Sequence, residues 1–89
     1  MIHFHCSGQI RAALGRGDLA LDLGPPVTVA EAIRRLGDQV APELRGQILE
    51  SGGPARSLLI FLDGVQIQDT SILVADGQEI TILSPIAGG

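Results

Sequence analysis

Residues 28–36, Thr28-Val-Ala-Glu-Ala-Ile-Arg-Arg-Leu36, predict one amphipathic helix. Thr28 and Glu31 have the spacing of a capping box, in which the threonine oxygen accepts from the amide three residues on and the glutamate reaches back to the threonine amide. An apolar stripe follows at intervals of four, three and four, formed by Val29, Ile33, Leu36 and Val40. Gly37 leads us to end the regular helix near Leu36. Because a lone helix cannot bury such a stripe, we expect it to lie across one face of a sheet.

Alternation of apolar and polar residues on both sides of this helix predicts the strands of that sheet. The predicted strands are residues 2–6, 19–23, 57–62, 65–67 and 79–83. Strands 2–6 and 19–23 are expected to pair antiparallel, and the first and last long strands to be central neighbours. In the last strand Ile80 and Ile82 point inward, whereas Thr81 and Leu83 point outward.

The remaining segments predict turns and two short helical pieces. Residues 9–14 form a helical turn that closes at Gly15, and residues 41–50 form a second piece with Leu44 and Ile48 inward. Residues 51–54 are predicted to be a surface loop, while Asp63-Gly64 and Asp76-Gly77 are tight turns. The order predicts a single α+β domain over residues 1–89, a β-grasp or ubiquitin-like fold with a mixed sheet of four to five strands and one main helix.

Composition excludes several classes of function. The net charge is −4, the six cations are arginines spread along the chain, and only Phe4 and Phe61 could stack on bases, so we expect no nucleic-acid partner. No apolar run approaches the roughly 20 residues needed to cross a membrane, and the N-terminus lacks a signal-peptide pattern. We therefore expect a cytoplasmic protein without a membrane partner.

Metal and catalytic constellations are also missing from the sequence. Alternation places His3 and His5 on one face and Cys6 on the other, so only two ligands converge where zinc needs at least three. We expect no metal site and interpret Cys6 as a small core residue. Paired carboxylates, a Ser-His-Asp set and a phosphate-binding glycine loop lack the required residues or spacing.

The chain ends in Ser84-Pro-Ile-Ala-Gly-Gly89, directly after the last predicted strand. Glycine alone adopts whatever dihedral angles a narrow tunnel in a partner enzyme imposes. The terminal carboxylate is ionised at neutral pH and needs activation before it can react with a nucleophile. We interpret residues 84–89 as a flexible tail and the working part of the molecule, against the alternative of a frayed terminus.

With Asp63-Gly64, Asp76-Gly77-Gln-Glu-Ile80 and this ending, the chain resembles the bacterial sulfur carriers. These are the small subunit of molybdopterin synthase and the carriers for thiamine-thiazole and cysteine synthesis. The resemblance implies that a ubiquitin-activating-type enzyme uses ATP to adenylate the Gly89 carboxylate, and that sulfur then displaces AMP to leave a thiocarboxylate. The resemblance implies no bound cofactor, and it implies that the chain is a protein co-substrate and not an enzyme.

The resemblance also assigns roles to particular residues. Gly88 matches the tunnel glycine, and Ala87, Ile86 and Pro85 match the extended lead-in. Leu83 matches an apolar docking residue, and Leu59 and Phe61 fall on the outward side of the strand over residues 57–62. Such an exposed apolar patch marks a partner surface unless a second element covers it.

The receiving pathway stays open at this point. Molybdopterin-type carriers often have aromatic residues where this chain has Ser7 and Leu83, and favour Pro-Pro where it has Ser84-Pro85. We favour the large subunit of molybdopterin synthase as the sulfur acceptor, with the thiazole or cysteine pathway as the alternative. Two other hypotheses are a ubiquitin-like modifier attached through Gly89 to lysines of target proteins, and an inert interaction module.

Overall fold

The computed structural model describes residues 1–51 and 53–83, apart from the side chains of residues 9, 13 and 44. In chain order the elements are β1 (Ile2–Cys6), α1 (Gln9–Leu14), β2 (Asp18–Leu21), β3 (Val27–Thr28), α2 (Val29–Gly37), a 3-10 helix (Pro42–Gln47), β4 (Leu49–Glu50), β5 (Gly53–Pro54), β6 (Leu59–Leu62), β7 (Val65–Ile67), β8 (Leu73–Val74) and β9 (Glu79–Leu83).

Five of the strands form one mixed sheet in the order β2-β1-β9-β6-β7. β1 and β9 run parallel, and the other neighbouring pairs run antiparallel. The first and last long strands are therefore central neighbours, as the sequence predicted. β9 has a hydrogen-bonded partner on each side, which places the last described residue, Leu83, in the middle of the sheet.

Helix α2 packs its apolar stripe against one face of this sheet. Its cap is as predicted, since the Thr28 hydroxyl oxygen accepts from the Glu31 amide at 3.0 Å. In the described chain Glu31 does not complete the capping box; its carboxylate accepts instead from the guanidinium groups of Arg34 and Arg35. Val29, Ile33 and Leu36 are fully buried in the core.

The core between helix and sheet is apolar throughout the described residues, which bury no polar side chain. Alternate residues of the two central strands supply its floor: Ile2, Phe4 and Cys6 from β1, and Ile80 and Ile82 from β9. This is the period-two pattern that the sequence predicted. The side chains of the intervening residues consequently face away from α2.

Two predicted strands are shorter than expected. β2 ends at Leu21 because Gly24 has a φ of 74° and donates its amide hydrogen to Asp22 Oδ1, so the chain turns before a longer strand can form. β6 begins at Leu59 because the Leu58 amide donates to the Ala55 carbonyl in a preceding turn.

The segment over residues 41–54 departs further from the prediction. Its helix is of the 3-10 type and ends at Gln47, and β4 pairs antiparallel with β5. The prediction of a surface loop over residues 51–54 is therefore wrong for Gly53–Pro54. Ile48 is buried as expected, whereas the side chain of Leu44 lies outside the described part.

Candidate functional site

The face of the sheet opposite α2 brings the three predicted docking residues together. Leu59 of β6 lies directly opposite Leu83 of β9, and Phe61 lies opposite Thr81. Leu59 keeps 40% of its surface exposed, while Phe61 and Leu83 are half-buried. No described element covers Leu59, so this apolar patch is open to another protein.

The same face carries polar side chains on its other side, nearer β2. His5 Nδ1 lies 2.7 Å from Asp18 Oδ1, and His3 is the parallel-register neighbour of Glu79. All four of these residues are exposed. We call Leu59, Phe61 and Leu83 the apolar half of the outward face, and His3, His5, Asp18 and Glu79 its polar half.

The sequence did not predict that the side chains of the polar half lie together on one face. The outward alternation assigned to Thr81 and Leu83 extends back to Glu79, which is the signal that could have found it. Asp18 carried no such signal, because its position opposite His5 depends on the β1–β2 register.

Asp63 fixes the start of β9 beside the outward face. Its backbone lies in the left-handed region with a φ of 49°, and its carboxylate accepts from the Glu79 amide at 2.9 Å and from Gln78 Nε2 at 2.8 Å. These hydrogen bonds, led by the one from Glu79, lower the pKa of the Asp63 carboxyl below its usual value. The carboxylate is therefore anionic at neutral pH, and it ties the β6–β7 turn to β9.

The histidines and the cysteine are arranged as the alternation predicted. His3 and His5 are exposed on the outward face, whereas Cys6 is only 2% exposed. Burial, with a smaller contribution from Asp18, raises the pKa of the Cys6 thiol to about 11, so the thiol is protonated and unreactive at neutral pH. Among the residues that the structure describes, no three His, Cys, Asp or Glu side chains form a group that could hold a metal ion.

The last described residue, Leu83, belongs to the apolar half. Leu83 follows Ile82, whose carbonyl accepts from the Ser7 amide at 3.2 Å, and Leu83 lies beside Leu59. The predicted tail, with Pro85, Ile86, Ala87, Gly88 and Gly89, lies outside the described residues, so the roles assigned to it remain predictions. Within the described chain, no helix has the length and apolar character needed to cross a membrane.

Three solved structures share this fold over nearly their whole length. Small archaeal modifier protein 1 (SAMP1) from Methanosarcina acetivorans is 26% identical, with a TM-score of 0.78 over 99% of this chain and 95% of that one. SAMP1 from Haloferax volcanii is 18% identical, with a TM-score of 0.84 over 99% and 98%. A chain of the BexX/CysO complex from Amycolatopsis orientalis is 19% identical, with a TM-score of 0.76 over 100% of both chains.

These likenesses confirm the predicted β-grasp fold. No curated protein sequence matches the chain. The model of the ThiS family, however, matches residues 6–89, which include the apolar half of the outward face and the terminal Gly88-Gly89. The chain therefore belongs to the ThiS family.

Proposed function

We propose that this protein is a sulfur carrier whose Gly89 carboxylate is adenylated and then converted to a thiocarboxylate. The observation that carries the proposal is the family match, which extends through Gly89. The exposed apolar half supports it, because it includes Leu83, which directly precedes the predicted tail in sequence, and an enzyme acting on the tail would need a docking surface there.

The proposed cycle follows from the chemistry of a carboxylate. The Gly89 carboxylate attacks the α-phosphorus of ATP on the adenylating enzyme, and pyrophosphate leaves. The terminal sulfur of a persulfide then attacks the acyl carbon and AMP leaves. A thiol reduces the resulting acyl disulfide, which frees the thiocarboxylate for transfer to a small-molecule precursor.

In this cycle the chain acts as a protein co-substrate and not as an enzyme. The only thiol, that of Cys6, is buried and has a raised pKa, so it is a poor candidate for a nucleophile. Gly88 and the lead-in of Pro85, Ile86 and Ala87 would occupy the tunnels of successive partners. We place the cycle in the cytoplasm, where ATP is available.

Intact mass measurement tests the proposal. The protein is incubated with ATP, a persulfide donor, a thiol and an adenylating enzyme isolated from the same cells by its ATP-dependent retention on the immobilised chain. We expect a mass gain equal to the exchange of one oxygen for one sulfur. If the mass does not change while ATP–pyrophosphate exchange is also absent, the proposal is wrong.

For the acceptor we propose the large subunit of molybdopterin synthase. The test supplies the thiocarboxylated protein to this subunit with its pterin precursor, and in parallel to a thiazole synthase and a cysteine synthase. Transfer of sulfur in the first reaction supports the molybdopterin assignment. Transfer only in one of the others would redirect the carrier to that pathway.

Protein modification is the second candidate, and one observation favours it. The 26% identical chain from Methanosarcina acetivorans is a small archaeal modifier protein. An acyl adenylate at Gly89 could also acylate a lysine amine of a target protein. Because this chain contains no lysine, every lysine isopeptide to Gly89 found in a lysate would lie on a different protein. Peptide mapping for such isopeptides tests this candidate.

A further inference from the structure

We propose that residues 84–89 fold back into a groove at one end of the sheet, where Arg56 binds the Gly89 carboxylate. The groove has a volume of about 400 Å³, and its lining includes Arg56, Leu58, Leu59 and Gln68. The contact itself involves no partner protein. Its consequence, that an adenylating enzyme has to displace the tail, rests on the proposed function.

The groove lies next to the last described residue. β6 and β9 run antiparallel, so Leu83 lies at the end of the sheet where β6 begins, directly opposite Leu59. Leu59 lines the groove and is 40% exposed. Because residue 84 is bonded to Leu83, the tail begins beside a residue of the groove.

The tail is long enough to bring Gly89 to Arg56. Arg56 precedes Leu59 by three residues, which span at most about 11 Å. Paired Cα atoms of antiparallel strands lie about 5 Å apart, so the Cα atoms of Arg56 and Leu83 lie within about 16 Å of each other. Six extended residues span about 20 Å. Gly89 can therefore reach Arg56 without any movement of the sheet.

Charge complementarity favours a carboxylate as the occupant. Arg56 is the only charged residue among the described ones that line the groove, and its side chain is 95% exposed. Its one ion pair within the described chain, with Glu50, has an Nε–Oε1 distance of 3.8 Å, whereas a charge-assisted hydrogen bond measures about 2.7–2.9 Å. The guanidinium therefore has donors left for a terminal carboxylate, which it can bind through two parallel hydrogen bonds.

The polar part of the groove suits a peptide backbone. Gln66, Gln68 and Thr70 line it with amide and hydroxyl groups that can hydrogen-bond to backbone N–H and C=O groups. Since Gly88 and Gly89 have no side chains, their backbone can approach these groups closely. The residues that end the chain are thus the ones that fit beside Arg56.

Such a contact would limit adenylation. A carboxylate held by Arg56 is not free to attack ATP, so the enzyme engages only those molecules whose tail is released. Its apparent affinity for the carrier is then reduced by the released fraction.

Substitution of Arg56 with a matched control tests the inference. Arg56→Gln removes the cation from the groove. Arg16→Gln makes the same change of net charge at an exposed residue beside β2, at the opposite edge of the sheet. Nitrogen-15 relaxation at low salt gives the backbone order parameters of Gly88 and Gly89 in the unmodified protein and both variants. ATP–pyrophosphate exchange gives the KM of each protein for the adenylating enzyme isolated as above.

We expect order parameters of Gly88 and Gly89 above about 0.6 in the unmodified protein and in Arg16→Gln, and below that value in Arg56→Gln. The KM for the carrier should fall about two- to fivefold in Arg56→Gln and stay unchanged in Arg16→Gln, as expected for a released fraction of about one fifth to one half.

Order parameters that are equal in the three proteins would overturn the inference, as would a KM that Arg56→Gln does not lower where exchange occurs. A difference in order parameters that grows with protein concentration would assign the groove to the tail of a second copy and would also overturn it. Absence of exchange in all three proteins would overturn the proposed function, while the order parameters would still decide whether the tail binds Arg56.

Discussion

Glu31 shows how one partly exposed residue organises the surface of α2. Its carboxylate accepts from Arg34 Nε at 2.8 Å and from Arg35 Nε at 2.7 Å, and its amide donates to the Thr28 cap. The hydrogen bonds from Arg34 and Arg35 lower the pKa of the Glu31 carboxyl to about 2. The sequence predicted the cap but not this ion-pair cluster, because the carboxylate had two competing sets of donors within reach.

The lowered pKa of Glu31 predicts a pH dependence of stability. A carboxyl whose pKa is lower in the folded protein contributes stability that is complete above its ordinary value of 4.5 and is lost as the pH falls toward about 2. Glu31→Gln should therefore remove part of the loss of stability between these pH values. Urea unfolding of both proteins over this range measures it.

Glu43→Gln is the control for this experiment, since Glu43 is exposed and has no ion pair in the described chain. If Glu31→Gln and the unmodified protein lose stability in parallel on acidification, Glu31 does not pair with Arg34 and Arg35 in solution.

At the scale of elements, α2 depends on its buried stripe. Ile33 has no exposed surface in the core. Ile33→Ala should lower the free energy of unfolding by about 2–5 kcal/mol, because it removes apolar contacts and leaves a cavity. Ile72→Ala is the matched control, since Ile72 is 39% exposed. Chemical denaturation measures the free energy of unfolding of both variants. Equal losses of this free energy would mean that α2 does not bury Ile33 in the core.

Gly37 has a packing role that its sequence context did not show. The sequence indicated only a helix end, whereas a Cβ at Gly37 would lie 2.6 Å from Leu49 Cδ1 and 3.0 Å from Leu49 Cγ. The close approach of α2 to β4 therefore leaves no room for a methyl group unless Leu49 moves.

A double-mutant cycle measures this contact. Gly37→Ala should destabilise the protein by about 1 kcal/mol, because the methyl group overpacks against Leu49. In a Leu49→Ala background the same change should be neutral or stabilising, since alanine favours the helix. Additive effects in urea unfolding would contradict the contact.

The elements that the sequence predicted well are those long enough to show a periodic pattern of buried residues. β1, α2 and β9 each bury alternate or helically spaced residues, and their positions agree with prediction within about a residue. The pairs β3–β8 and β4–β5 were missed because each strand has two residues, too few to show a period. The pairing of β3 with β8 also joins distant parts of the chain, with Val27 opposite Val74.

On the scale of the whole molecule, the candidate site is the outward face of the sheet, which includes the last described residue, Leu83. Alternation predicted the outward positions of Leu59, Phe61 and Leu83, but their direct juxtaposition is set by the β6–β9 register. A single sequence does not contain that register, and it also could not show that Asp63 and Glu79 lie together. The tail residues 84–89 stay predictions of the sequence alone.

The tunnel argument for the tail gives a prediction for the intact protein. Gly88→Val should abolish adenylation without changing the melting temperature, because a branched side chain blocks the path through the partner while the core is untouched. Melting and ATP–pyrophosphate exchange are measured on the same preparation. Normal exchange by this variant would refute the tunnel.

Gly46→Val is the control for the tail variant. Gly46 is exposed on the 3-10 helix, and a Cβ there would meet no atom within 4 Å. It should therefore keep normal exchange, and a loss equal to that of Gly88→Val would show that the assay responds to glycine substitution in general.

The central position of β9 has a consequence for biosynthesis. In the sheet β9 joins β1 to β6, so a polypeptide that stops before residue 79 lacks the strand that closes its interior. Such a fragment cannot assemble the outward face. Synthesis through β9 thus acts as a checkpoint, and only molecules that contain this strand can fold.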